Sequence, residues 1–154
     1  MSNLAKLRQL SRKEQGLLFQ SALLLPVVHA GLLFFGFYRL QRAMEWLSPR
    51  QPTDTPASET GTVERAREIA RIVAIAAEHG MYKATCLRRS LLVWWFLRRE
   101  GIPSRVCFGV RTVHSKLEAH AWVEYQGIVV NDSGSVHENF QALREGFPST
   151  QVGL

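Results

Sequence analysis

A short polar lead gives way to a stretch, residues 17–40, in which apolar side chains dominate. Ser11-Arg12-Lys13-Glu14 has capping-box spacing just ahead of that run, a serine at the cap and a glutamate three residues on. The pattern predicts helix from about residue 12 to residue 25, a break near Pro26, and helix again to about residue 47. Residues 48–61 (SPRQPTDTPASETG) are rich in Pro, Ser and Thr and lack apolar periodicity, which reads as a linker or loop. Thr62 is the N-cap candidate of a helix that ends at Gly80, with Ile69, Ile72, Val73 and Ala76 recurring at helical spacing. A further helix begins near Cys86 and ends at Gly101, where Ile102-Pro103 forbids continuation. Leu87, Leu91, Trp94 and Trp95 cover much of its girth, so it is expected to be buried on several sides. The period then changes to two. Val106, Phe108 and Val110 alternate with Arg105, Cys107 and Arg111, and two more strands are expected over residues 117–125 and 128–132 around Gln126-Gly127. A short helix near Phe140 and Leu143 and a frayed tail complete the chain. Helices first, then a small antiparallel sheet: the expected fold class is α+β. The expected organisation is an apolar helical region (1–47), a linker (48–61) and a core (62–154).

Composition sharpens that picture in two places. The net charge is +6, yet residues 1–50 hold seven Lys or Arg against Glu14 and Glu45, whereas residues 51–154 hold twelve basic against eleven acidic side chains. The excess flanks the apolar run instead of covering the folded motifs, which argues against a nucleic-acid reader. Gln20, His29 and Pro26 argue against a plain membrane span. Arg12 and Lys13 on one side, and Arg39 and Arg42 on the other, give no orientation. A signal peptide cleaved after Val28-His29-Ala30 is a poor match, because the lead is long and contains Glu14. Packing into the domain or onto a partner is the favoured reading, with peripheral membrane contact through residues 17–40 as the alternative. Two cysteines with twenty residues between them make no disulfide framework, so a reduced, cytoplasmic setting is expected.

Candidate chemistry gathers around three residues. Cys86 stands at a helix start, after Thr85 and before Arg88 and Arg89, where free N–H groups and the positive dipole end favour a thiolate. On its own it reads more readily as a small buried hydrophobe. A three-residue loop, Tyr125-Gln126-Gly127, would pair Glu124 with Ile128 and set His120 directly across from Asp132 on the same face. The carboxylate would then hold the imidazole tautomer and leave the other ring nitrogen for the thiol. A two-residue loop would put the two on opposite faces. Singly, His120 suits a satisfied core histidine and Asp132 a turn residue; together with Cys86 they compose a nucleophile, a base and an orienter. A zinc site from Cys86, Cys107, His114 and His120 lacks CxxC or HxxxH spacing. Neither metal nor cofactor is expected. Cys107 reads as packing. Trp122 reads as core or as a wall of the substrate cleft, and Arg88 and Arg89 as a solvated face or as substrate contacts. The backbone N–H of Cys86 is one candidate oxyanion donor, with Lys83 or Tyr82 considered for the second.

Taken together, Cys86-Leu87-Arg88-Arg89-Ser90-Leu91, Gly101-Ile102-Pro103, Gly109-Val110-Arg111, His120-Ala121-Trp122-Val123-Glu124 and Asn131-Asp132 resemble the transglutaminase-like leader peptidase of lasso-peptide biosynthesis. The resemblance covers roughly residues 65–135 and implies a papain-like core with Cys86 as nucleophile, His120 as general base then acid, and Asp132 as orienter. It also implies a precursor peptide as substrate, with a separate leader-recognition protein and an ATP-dependent cyclase as partners. A catalytically inactive binding module and an acyl transferase on the same fold are the competing expectations.

Overall fold

The computed structural model describes residues 11–48, 59–79 and 85–142. Most of the expected linker, the helix end at Gly80, Tyr82 and Lys83, Leu143 and the tail lie outside them.

Helix α1 spans Arg12–Trp46. Its start is a complete capping box: the Glu14 N–H donates to Ser11 Oγ (3.3 Å) and the Ser11 N–H donates to Glu14 Oε2 (2.8 Å). The expected break at Pro26 is absent. Proline lacks one N–H, but its fixed φ suits a helix, and Leu25 and Val28 are buried on either side of it. The interruption falls ten residues later at Gly36, whose φ of 73° and ψ of 173° lie in a region that only a residue without Cβ visits readily. There the chain folds back: a Cβ on Gly31 would lie 2.6 Å from Leu40 Cδ1. In a continuous helix those two positions would stand about 13 Å apart.

Helix α2 spans Glu59–His79 and helix α3 spans Cys86–Arg99. Thr62 is no N-cap. The helix begins three residues before it, and Thr62 is buried within the first turns. Ile69, Ile72, Val73 and Ala76 all face the core, as their spacing predicts. Glu14 accepts a hydrogen bond from Arg71 (2.6 Å), tying α1 to α2, and Arg65 donates two bonds to Glu100, tying α2 to the end of α3. Helix α3 stops in a Schellman motif: Ile102 N–H donates to Leu97 C=O (2.9 Å) and Gly101 N–H to Arg98 C=O (3.2 Å). Gly101 supplies the left-handed residue with φ 87°, and Pro103 follows.

Strands β1 (Arg105–Val113), β2 (Lys116–Tyr125) and β3 (Ile128–Val129), the short helix α4 (Val136–Asn139) and strand β4 (Gln141–Ala142) complete the fold. The sheet is antiparallel throughout, in the order β3-β2-β1-β4. Its helix-facing side joins Val106, Val123 and Tyr125 to Leu25, Val28 and Met44 of α1, Ile69 and Val73 of α2, and Leu91, Leu92 and Leu97 of α3. Each such fully buried side chain contributes about 1.5–3 kcal/mol relative to exposure. The opposite side carries a second cluster, Cys107, Trp122, Val129 and Val136, closed by Phe140.

The β2–β3 connection corrects an expectation. It is a two-residue turn, Gln126-Gly127, with Tyr125 opposite Ile128 and Glu124 opposite Val129. Both turn residues have positive φ, 49° and 81°, as a primed hairpin turn demands. Nor does β3 run to Asp132. Val130 N–H still bonds Val123 C=O (3.0 Å), but the next partner of the Val123 N–H is the side chain of Asn131, whose Oδ1 accepts at 2.7 Å. The backbone leaves the ladder at that point.

Candidate active site

That departure decides where Asp132 goes. Had the two-residue register continued, Asp132 would have sat on the face away from His120. Freed from the ladder, it returns to the imidazole, and the His120 Nε2–H donates to Asp132 Oδ2 at 2.5 Å. The other carboxylate oxygen accepts the Ser133 N–H at 2.7 Å, so both oxygens are engaged and the side chain is fixed. The pair is partly solvent-accessible. With Nε2 turned to the carboxylate, Nδ1 is the ring nitrogen left for a reaction partner.

His120 is also held by its faces. Its ring stacks on Phe140 (centroids 5.0 Å apart, 25° between planes) and lies 6.3 Å from Trp122. Gly109, directly across β1 from His120, makes room for both: a Cβ there would meet Phe140 Cβ and the Trp122 ring at 2.9 Å. Of the two readings of Trp122, core or cleft wall, its burial fits the core: it supports His120 from within the fold. It is wholly buried, and its Nε1–H donates to Glu124 Oε1 (2.7 Å). Glu124 also accepts two bonds from Arg105, and His137 Nε2 lies 3.3 Å from its carboxylate. Burial alone would raise the Glu124 carboxyl; the hydrogen bonds from Trp122 and Arg105 outweigh it and hold the group below its ordinary range. Burial, with Glu124 nearby, pushes the Cys107 thiol up to about 12, which leaves it a packed thiol at neutral pH.

Cys86 is the first residue of α3 and is half-buried. Thr85 takes extended N-cap dihedrals, but its side chain makes no hydrogen bond to the opening N–H groups of α3. Among the described residues no hydrogen bond joins the Cys86 sulfur to His120. What connects them is one turn further along the helix. Ser90, wholly buried, donates to Ala121 C=O (3.0 Å) and accepts from Asn131 Nδ2 (2.9 Å). Residues four apart share a helix face, so the face that carries Cys86 is bonded to the neighbours of both His120 and Asp132. Arg88 and Arg89 are half-buried beside Cys86, and neither has an ion-pair partner among the described residues.

The structure thus brings His120 and Asp132 into contact and sets Cys86 at the head of the helix that Ser90 secures against them. Ser90, Asn131, Gly109 and Phe140 were not singled out as site residues from sequence. A buried serine four residues after a candidate nucleophile, and an asparagine directly before a candidate orienter, are the signals that could have marked the first two.

A family model described as "Transglutaminase-like superfamily" matches residues 27–145. No curated protein and no solved structure matches the chain.

Proposed function

Because the chain belongs to the transglutaminase-like superfamily, we propose that it is a cysteine peptidase that removes the leader from a lasso-peptide precursor, with Cys86, His120 and Asp132 as its catalytic residues. One observation supports this above the rest: the His120 Nε2–H donates to Asp132 while Nδ1 is left for a thiol. The narrower assignment to lasso-peptide maturation rests on the resemblance of the Cys86 helix, the His120-Ala121-Trp122 strand and Asn131-Asp132.

In this reading the Cys86 thiol yields its proton to His120 Nδ1, and the sulfur attacks the carbonyl carbon of the last leader residue. The start of α3 stabilises the thiolate, and the Cys86 N–H donates to the developing oxyanion. His120, now imidazolium and steadied by Asp132, protonates the leaving amine and frees the core peptide. Water, deprotonated by His120, attacks the thioester, releases the leader acid and returns the thiol. Catalytic hydrogen bonds are commonly looser before substrate binds, so the sulfur and Nδ1 tighten together in the peptide complex. Arg88 and Arg89 receive acidic or carbonyl groups of the leader. A leader-recognition protein delivers the precursor, and an ATP-dependent cyclase consumes the freed amine.

The test is mass analysis of a precursor peptide encoded beside this gene, incubated with the full chain and the leader-recognition protein. Cleavage with addition of water, abolished in Cys86→Ala at unchanged melting temperature, is the expected result. Undiminished cleavage by Cys86→Ala sinks the assignment. Transfer of the acyl group to an amine in place of water would make the chain an acyl transferase.

A further inference from the structure

Nine large apolar side chains of the N-terminal segment stand in solvent: Phe19, Leu23, Val27, Leu33, Phe34, Phe35, Tyr38, Trp46 and Leu47. Phe19, Leu23 and Val27 recur every four residues and Phe34 continues their line, so together they make one stripe along α1. The residues it leaves on the other side, Leu25, Val28 and, past the fold-back, Met44, are committed to the core. Residues 15–38 contain no charged side chain, and Gln20 is the one exposed polar side chain between Gly16 and Tyr38. Both ends of the stripe are cationic. Arg12 and Lys13 precede it, Arg39 and Arg42 follow it, all four are exposed, and none has an ion-pair partner among the described residues. The nearby acids are occupied: Glu14 by Arg71 and Ser11, Glu45 by Gln41.

We propose that this stripe is a membrane-binding surface and that α1 lies in the plane of an anionic bilayer without crossing it. The charge distribution selects the occupant. A rim that offers only positive charge complements acidic headgroups, while the stripe between has almost nothing with which to fix the register of a protein partner. A bilayer needs no register. Length and composition alone would let α1 cross a membrane. Two features of the fold prevent it. The chain doubles back at Gly36, bringing Gly31 against Leu40, and crossing would strip Leu25, Val28 and Met44 from the core. What remains is an interfacial helix pair with one face in the acyl boundary and the other on the protein.

The experiment is flotation of the full chain with vesicles of phosphatidylcholine alone or with one-third phosphatidylglycerol. The chain is expected to float with the anionic vesicles, to bind the neutral ones at least about tenfold more weakly, and to be released by salt and by alkaline carbonate. Arg39→Glu with Arg42→Glu, and separately Leu23→Ser with Phe34→Ser, should each reduce binding about tenfold or more. Leu117→Ser, equally exposed but on the β1–β2 hairpin, should leave it unchanged. These positions face solvent, so melting temperatures should hold and fold loss is excluded by measurement. Equal binding to neutral vesicles, indifference to both double variants, or resistance to alkaline extraction overturns the proposal. So does self-association in solution that Leu23→Ser abolishes in the absence of vesicle binding, which would make a second copy the occupant.

Discussion

At the scale of single residues, the imidazole of His120 is held by a carboxylate and by aromatic stacking. Asp132 takes Nε2, Phe140 stacks on the ring with Trp122 close by, and Gly109 gives those two rings their space. Nδ1 is the nitrogen left for a partner, and the tautomer is chosen by the carboxylate. This makes Asp132→Asn a sharp test, because the Ser133 N–H donates to Asp132 Oδ1 and will keep an amide oxygen in that place. The amide NH₂ then points at His120 Nε2 and forces it to accept, moving the ring proton to Nδ1, where it blocks transfer from the thiol. Peptide cleavage should fall on the order of 10³-fold or more, and Cys86 alkylation by iodoacetamide near pH 7 should slow, with only a small change in melting temperature. Unchanged cleavage would remove Asp132 from the mechanism. His120 and Asp132 could be named from sequence because so few residue types can serve as base and orienter. Gly109 and Phe140 could not, since their part is to shape space, and shape is visible only after the strands are aligned.

Between residue and molecule, the elements meet at Ser90. Val123 turns its N–H and C=O toward β3, so by the two-residue repeat of a strand Ala121 turns its C=O to the same edge, past the point where β3 has ended. Ser90 occupies that vacated place in the ladder, and Asn131 bridges it to the departing chain. Ser90→Ala would leave the Asn131 amide and the Ala121 carbonyl short of a buried partner, costing about 1–3 kcal/mol, or roughly 3–10 °C in melting temperature for a chain of this size. Cys86 labelling should slow in the same variant, since the head of α3 loses its fixed relation to His120. Combining it with Asn131→Ala should cost less than the sum of the two, because both break the same Asn131–Ser90 bond; strict additivity would show that Ser90 and Asn131 act separately. Two helix ends were legible, the capping box at Ser11 and the Gly101 stop, because those signals are local, whereas Thr62 as a cap and Pro26 as a break were overridden by the packing around them. Turn length was not. Gln126-Gly127 is compatible with two- and three-residue loops, and the choice between them depends on where β3 packs. Juxtaposing His120 and Asp132 needed a different route from the one the expected register implied, a strand that ends early instead of one that continues in phase.

For the whole molecule, the order of helices first and sheet after follows from the switch of apolar period at residue 105, and that much the pattern carried. Hidden from it was the second covering of the sheet, by residues 131–142, a segment of mostly polar turn residues in which Val136 and Phe140 pack against the sheet. Beneath that cover lies Glu124, an acid four per cent exposed in its side chain and hydrogen-bonded by Trp122 and Arg105, with His137 alongside. A carboxylate so placed couples the fold to pH. Its folded pKa lies below the ordinary value of 4.5, so the unfolded chain binds the proton more readily than the folded one. The stability this contributes is complete above about pH 4.5 and is lost as pH falls from there through the folded value. Glu124→Gln keeps an acceptor for Trp122 but gives up the charge that Arg105 meets. Its melting temperature should lie below that of the wild type near pH 7, and the gap should close as the pH is lowered to about 3, because the wild type alone pays for protonating this site. Melting curves across that range decide it: two limbs that stay parallel into acid would mean that Glu124 is not the group whose protonation loosens the second cluster, and that its pairing with Arg105 contributes nothing to the pH dependence of the fold.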